Sequence, residues 1–337
     1  MRGNSPKAAF SDIAAERQLL GEAARAGGAL ALEMRAQGVK KLNKEDGSPV
    51  TEADLAVNAL LEMRLRAERP DYAWLSEESP KGDYAGAHRT FVIDPIDGTA
   101  DFIKGSSRWC VAIALLQADQ VIASAIYNPV TDELFDAGLG HGAACNGASL
   151  NVSPREDLEG CRIFANPAFD WEGWPQAWPK MRVIAGGACG NRMADVAAGR
   201  ADGYMSITTK WDWDMAPGAL LITEAGGAVT DTRGGAFSYN NMLPKQLSVA
   251  AAAPALHAQI IARTRRIVLP LRVRGSSSTN SMVRGAIAGP RRVRAKPRSS
   301  RSSAASGAWP GRRVTKAAMT VPATGWGTPT TRSEERR

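Results

Sequence analysis

Two aspartates, Asp94 and Asp97, stand three residues apart in "FVIDPIDGTADF", with Pro95 and Ile96 between them and Gly98 and Thr99 behind. Phe91, Val92 and Ile93 lead into the first acid, which predicts a strand that stops at Asp94 and presents its carboxylate at a sheet edge. Pro95 fixes one backbone angle, Ile96 packs inward with its carbonyl turned out, and Asp97 returns to the same side. Carboxylates this close repel one another unless a cation neutralises them. Hard oxygen donors without histidine or cysteine suit Mg²⁺. Gly98 permits a tight turn and Thr99 begins a helix, so their backbone N–H groups point at an anion. Carboxylates beside a phosphate cradle imply metal-assisted phosphoryl transfer to water. A capping aspartate in a simple turn would account for Asp-Pro alone, but not for the six residues together.

Further acids lie where other elements end. Glu77 and Glu78 close the predicted strand "YAWLSEES", and Asp214 sits in "WDWDMAPGALLITEAGG", with Asp212 read as a bystander. Upstream, a helix capped by Ser11 is predicted to run to Gly38, with Ile13, Leu20, Ala24 and Leu32 on one face. Gly47 to Pro49 make a turn, and Thr51 or Asp54 starts a second helix with Leu55, Leu61 and Leu65 on its apolar side. The stretch from Trp109 to Gly147 reads as several strands joined by tight turns. After Val152 helix and strand mix: "GNRMADVAAGRADGYM" predicts a helix and then a strand, and "DMAPGALLITEAGGAVTD" a helix stopped at Gly226-Gly227 and then a strand. Trp171, Trp174 and Trp178 are read as a packing cluster.

The chain has 337 residues, 44% of them hydrophobic, enough for one large domain or two ordinary ones. No run is long and apolar enough to span a membrane, and no secretory signal pattern stands at the N-terminus. Cys110, Cys145, Cys161 and Cys189 form no CxxC pair and are expected to be reduced thiols of a cytoplasmic protein. His88, His141 and His257 are scattered, which argues against a histidine metal site or a Ser-His-Asp triad. The net charge of +8 hides a division: residues 1–262 hold 24 Lys+Arg against 32 Asp+Glu, and residues 263–337 hold 18 against 2. The second segment is rich in Ser, Arg, Gly and Pro, has lost apolar periodicity, and is predicted to be disordered. It reads either as an arm for nucleic acid or an anionic surface, or as a dispensable extension. The expected organisation is an α+β subdomain over 1–140, an α/β subdomain over 141–262 and the basic tail over 263–337.

"DPIDGTADF" resembles the first signature of the inositol monophosphatase family, and "WDMAPGALLITEAGG" its second, with "DGSPVTEAD" and "SEES" in order before them. The likeness covers about residues 10–262 and implies an α/β fold layered as an αβαβα sandwich, shared with fructose-1,6-bisphosphatase. It implies a Mg²⁺-dependent phosphomonoesterase acting on a small phosphorylated alcohol such as inositol monophosphate, and a homodimer. By resemblance, Glu77, Asp94 and the carbonyl of Ile96 hold one metal, and Asp94, Asp97 and Asp214 a second. Thr99 positions the attacking water and Asp54 hydrogen-bonds Thr99. Asp97, Gly98, Thr99 and Asp214 contact the phosphate or substrate, and Gly187, Ala188 and Cys189 contact its alcohol portion. Two departures bear on the substrate. Ile207 stands seven residues before Asp214, where animal members carry an inositol-binding Glu. "DGTADFIKG" is similar to the 3'(2'),5'-bisphosphate nucleotidases, the alternative activity.

Overall fold

The computed structural model describes residues 6–267, apart from 45–46, 80–81, 83, 167–173 and 175. The expectations for the tail beyond Ile267, and for Trp171, lie outside the described residues. Helix α1 (Pro6–Gln37) starts before the predicted cap at Ser11. Proline suits a first turn, because the N–H it lacks has no helical acceptor there. The helix stops at Gly38, whose φ is +87°. A hairpin of β1 (Lys41–Asn43) and β2 (Pro49–Thr51) leads into α2 (Glu52–Glu68), capped by Thr51. Ala53, Val57, Leu61 and Leu65 recur every four residues and are fully buried. Leu55 lies off that stripe and is 46% exposed, contrary to expectation.

Strands β3 (Ala73–Ser76) and β4 (Arg89–Asp97) are parallel; after helix α3 (Thr99–Ile103) come β5 (Cys110–Gln117), β6 (Gln120–Asn128), β7 (Glu133–Gly138), β8 (Ala143–Cys145) and β9 (Ala148–Ser149). They form one seven-stranded sheet in that order, antiparallel from β4 onward. Alternate residues feed opposite faces: Phe91, Ile93, Val111, Ile113 and Leu115 pack with α1 and α2. Val92, Cys110, Ala112, Ala114 and Leu116 pack on the other side. Burial on both faces explains the unbroken apolar runs in the sequence.

The remainder is β10 (Arg162–Asn166), β11 (Arg182–Ile184), α4 (Cys189–Ala197), β12 (Gly203–Ser206), β13 (Lys210–Trp211), α5 (Asp212–Glu224), β14 (Ala228–Thr230), β15 (Lys245–Gln246), β16 (Val249–Ala252) and α6 (Pro254–Thr264). Five of these strands form a second sheet in the order β11-β10-β12-β16-β14, and β13 pairs with β15 as a separate ribbon. Helices α4 and α5 fill the space between the sheets through Met193, Val196, Leu220 and Leu221, which join Val92 and Ala112 of one sheet to Tyr204 and Ala251 of the other. Leu256 and Ile260 of α6 cover the outer face on Ile163, Met205 and Ala250. Trp174 and Trp178 meet edge to face at 5.1 Å and pack on this outer core. The layers are α1/α2, sheet, α4/α5, sheet, α6: the expected αβαβα sandwich. Thr264 and Ile267, which follow residue 262, are buried.

Candidate active site

Strand β4 does not stop at Asp94, nor does it lie at a sheet edge. It runs on through Asp97 between β3 and β5, with its register against β5 shifted between the two acids. Asp94 lies opposite Ala112 and Asp97 opposite Cys110. Pro95 cannot donate a ladder hydrogen bond, so the irregularity falls where the sequence tolerates it. Ile96 is fully buried, and its amide donates to Asp94 Oδ1 at 3.2 Å. Asp214 arrives from the first turn of α5, where its Oδ2 accepts from the Trp211 amide at 2.9 Å. One carboxylate oxygen each from Asp94, Asp97 and Asp214 lie within 4.8 Å of one another.

These acids strain against their surroundings. Burial pushes the Asp94 carboxyl well above the usual range, and Glu77, Asp97 and Asp214 push it further. Burial and the neighbouring Asp97 push Asp214 up to about 7. Asp97 is raised by burial too, although the start of α4 relieves it. The Cys189 and Gly190 amides donate to its two oxygens at 3.2 and 2.5 Å. An all-oxygen set of mutually repelling, enclosed carboxylates fits a hard divalent cation.

Beside this cluster, Thr99 Oγ1 lies 3.0 Å from Asp54 Oδ1 and 3.2 Å from the Ile96 carbonyl oxygen. The second Asp54 oxygen accepts from Thr51 N at 2.8 Å and Thr51 Oγ1 at 2.6 Å, closing a capping box at the start of α2. Asp54 therefore caps a helix with one oxygen and reaches Thr99 with the other. Burial raises its carboxyl above the ordinary value despite these donors. Gly98 makes the turn between the acids and Thr99 at φ +93°, and a Cβ there would stand 2.9 Å from Ala188 Cβ and 3.2 Å from the Arg108 carbonyl oxygen. Gly98→Ala is expected to cost about 1–3 kcal/mol, from the left-handed backbone and these contacts together. Thermal unfolding checks this, and an unchanged melting temperature would show that the turn relaxes.

The remaining predicted residues fall around this centre. Gly187, Ala188 and Cys189 form the lead into α4, where the Ala188 amide donates to the Arg108 carbonyl at 3.1 Å and Cys189 N reaches Asp97. The Cys189 thiol is buried and pushed up to about 12. Glu77 is not in the three-carboxylate cluster. Lys44 Nζ sits 2.6 Å from Glu77 Oε1 and 2.8 Å from Glu78 Oε1, so it competes with any cation for Glu77. Asp212 is fully buried and faces β15, accepting from Gln246 Nε2 at 2.8 Å, and burial pushes it up to about 6. Ile207 is buried and apolar. Sequence reasoning missed Lys44, Gly190 and Lys210. Lys44 and Gly190 meet the acids only through tertiary structure, whereas Lys210 stands just four residues before Asp214.

The inositol monophosphatase family model matches residues 15–269. The inositol-1-monophosphatase of Rhizobium meliloti is 35% identical over 202 residues, 55% of this chain and 73% of that protein. The Nus factor SuhB of Pseudomonas aeruginosa is 36% identical over 210 residues, 58% of this chain and 77% of that protein. Among solved structures, the extragenic suppressor protein suhB of Bartonella henselae superposes with a TM-score of 0.65 at 30% identity, over 75% of this chain and 99% of that one. The inositol monophosphatase of Thermotoga maritima superposes with a TM-score of 0.61 at 26% identity, over 72% and 93%.

Proposed function

Because this chain belongs to the inositol monophosphatase family, we propose that it is a Mg²⁺-dependent phosphatase that hydrolyses a small phosphorylated alcohol. The observation that carries this reading is the cluster of Asp94, Asp97 and Asp214 oxygens within 4.8 Å, next to a Thr99 hydroxyl bonded to Asp54. Those carboxylates, with Glu77 and the Ile96 carbonyl, would hold the metal. When bound, it supplies positive charge against the phosphoryl oxygens and the departing alkoxide. Asp54 accepts the Thr99 proton, which leaves the Thr99 oxygen lone pairs to receive a water hydrogen and aim the water at phosphorus. The amides of Gly98 and Thr99 contact the phosphate, and the Gly187–Cys189 segment contacts the alcohol. Asp97 and Asp214 meet both metal and substrate. The α4 amides and Trp211 N hold these two acids in place before substrate arrives.

Inositol monophosphate is one candidate substrate, but the buried Ile207 offers its hydroxyls no acceptor. A nucleotide bisphosphate losing its 3'-phosphate is the other. The test is phosphate release from inositol 1-phosphate, adenosine 3',5'-bisphosphate, histidinol phosphate and fructose 1,6-bisphosphate, with Mg²⁺ and with EDTA. Release from at least one, abolished by EDTA, is expected; release from none would overturn the reading.

A second reading, contact with nucleic acid, draws on the relatives named Nus factor and on the 18 Lys+Arg of residues 263–337. A chain cut after Leu269, past the buried Ile267 and at the end of the family match, separates the two, since turnover belongs to the acidic body and any phosphate-backbone binding to the basic segment.

A further inference from the structure

We propose that Gly190 and Cys110 form a complementary pair that positions Asp97. The side chain that Gly190 lacks leaves the space in which the Cys110 sulfur sits, and together they fix how the carboxylate is presented to the metal. The inference rests on the metal assignment above and deepens it.

Asp97 is held from two sides. It lies opposite Cys110 in the pairing of β4 with β5, and the Cys110 thiol donates to Asp97 Oδ2 at 3.7 Å. From the other side, at the start of α4, the Gly190 amide donates to the same Oδ2 at 2.5 Å and the Cys189 amide to Oδ1 at 3.2 Å. Asp97, Cys110, Cys189 and Gly190 are all buried. The Cys189 side chain points elsewhere, with Sγ 3.7 Å from the Tyr204 hydroxyl and 4.0 Å from Met215 Sδ. Cys189 therefore gives Asp97 an amide, and Cys110 gives it a sulfur.

Backbone conformation does not explain the glycine. Gly190 is the second residue of α4 and does not have a positive φ, so any residue could adopt its backbone, and alanine is the better helix former. Space explains it. A Cβ at position 190 would stand 2.9 Å from Cys110 Sγ, 3.1 Å from Asp97 Oδ2 and 3.5 Å from Ile126 Cγ2. Contact that close to the sulfur forces a shift. Cys110 is fully buried on a strand with neighbours on both sides, so it has little room to retreat, and the displacement falls on the carboxylate. Mg²⁺ demands near-ideal coordination geometry, and the groups that orient its ligands govern its affinity. The rival role is plain packing of α4 on the sheet. It forecasts a lower metal-free melting temperature for Gly190→Ala with no change in the Mg²⁺ affinity of the folded protein.

The experiment titrates Mg²⁺ by calorimetry into the full chain and into Gly190→Ala, Cys110→Ala and the double variant, with metal-free melting temperatures taken in parallel. Gly190→Ala is expected to weaken Mg²⁺ binding by about tenfold to a hundredfold, the range for losing a group that orients a metal ligand. Cys110→Ala removes the sulfur behind the carboxylate and should cause a smaller loss. Adding Gly190→Ala to Cys110→Ala puts a methyl group where the sulfur was, and is expected to regain affinity. One substitution thus acts with opposite sign in two backgrounds, which packing alone does not produce. If Gly190→Ala does not fold, the comparison of Cys110→Ala with the double variant still decides. Equal affinity in all four proteins, or no gain when Gly190→Ala is added to Cys110→Ala, overturns the proposal and leaves the metal assignment intact. Absence of Mg²⁺ binding in the unaltered protein defeats the metal assignment, and this inference with it.

Discussion

Asp94→Asn is expected to lower Mg²⁺-dependent turnover by at least about a hundredfold and, in EDTA at neutral pH, to raise the melting temperature. The first effect follows from Asp94 being proposed as a ligand to both metals, where metal charge is worth several kcal/mol of transition-state stabilisation. The second follows from the geometry of the acids. Burial, then Glu77, Asp97 and Asp214, all disfavour the Asp94 carboxylate in the folded chain. An unfolded aspartate loses its proton near 3.8, so above that value the folded protein must hold a proton or bear the repulsion. Asp214 makes the window explicit. Between 3.8 and about 7 its folded form keeps a proton the unfolded chain has released, so metal-free stability falls as pH rises through that range. Asparagine at position 94 removes one repelling charge and keeps an oxygen for the Ile96 amide. By the same linkage, Mg²⁺ should raise the melting temperature of the unaltered protein more at pH 8 than at pH 5. Phosphate-release kinetics and thermal unfolding check both halves. Retained Mg²⁺-dependent turnover in Asp94→Asn would remove the metal assignment, and a lower metal-free melting temperature would show that the acids do not repel in the fold.

What the sequence made legible, and what it did not, divides by range. Asp94, Asp97, Gly98 and Thr99 could be read because they lie within one turn of chain, where residue type and spacing fix the geometry. The layering was legible only through the family resemblance, while apolar runs and helical stripes announce no more than which faces are buried. Leu55 shares its residue type with Leu61 and Leu65 but falls outside the buried stripe, which is set by the four-residue recurrence of Ala53, Val57, Leu61 and Leu65. The start of α1 differs from the expected one because two signals compete: Ser11 is a good cap, and Pro6 suits a first turn equally well. The shift between Asp94 and Asp97 depends on pairing with Ala112 and Cys110, residues from another strand. The Lys44–Glu77 pair spans 33 residues and the Gly190–Asp97 bond spans 93, so no local pattern could have disclosed either.

Thr99→Ala is expected to reduce turnover by about a hundredfold or more, within the range for losing a group that handles a proton in the transition state. Every proposed metal ligand and the backbone amides remain, so KM should move far less than kcat. Asp54→Asn acts on the same hydroxyl by a route the hydrogen bonds define. One Asp54 oxygen takes two donors from Thr51 and the other faces Thr99. An asparagine has a single acceptor oxygen, and the two Thr51 donors claim it. Its NH₂ then faces Thr99 Oγ1, which must turn its own proton toward the Ile96 carbonyl, 3.2 Å away, and surrender a lone pair to the amide. The hydroxyl survives, but with one lone pair taken and its proton turned away it is reoriented and aims a water less well. If both residues serve that one task, Asp54→Asn should cost much in the unaltered protein and little once Thr99 is alanine. The helix-capping role predicts the reverse pattern in a different measurement: Asp54→Asn should lower the melting temperature by a similar amount in either background. Single and double variants assayed at saturating Mg²⁺, with melting temperatures taken in parallel, separate the two roles. Rate losses that multiply in the double variant would reduce Asp54 to a helix cap, and full activity in Thr99→Ala would remove Thr99 from the chemistry.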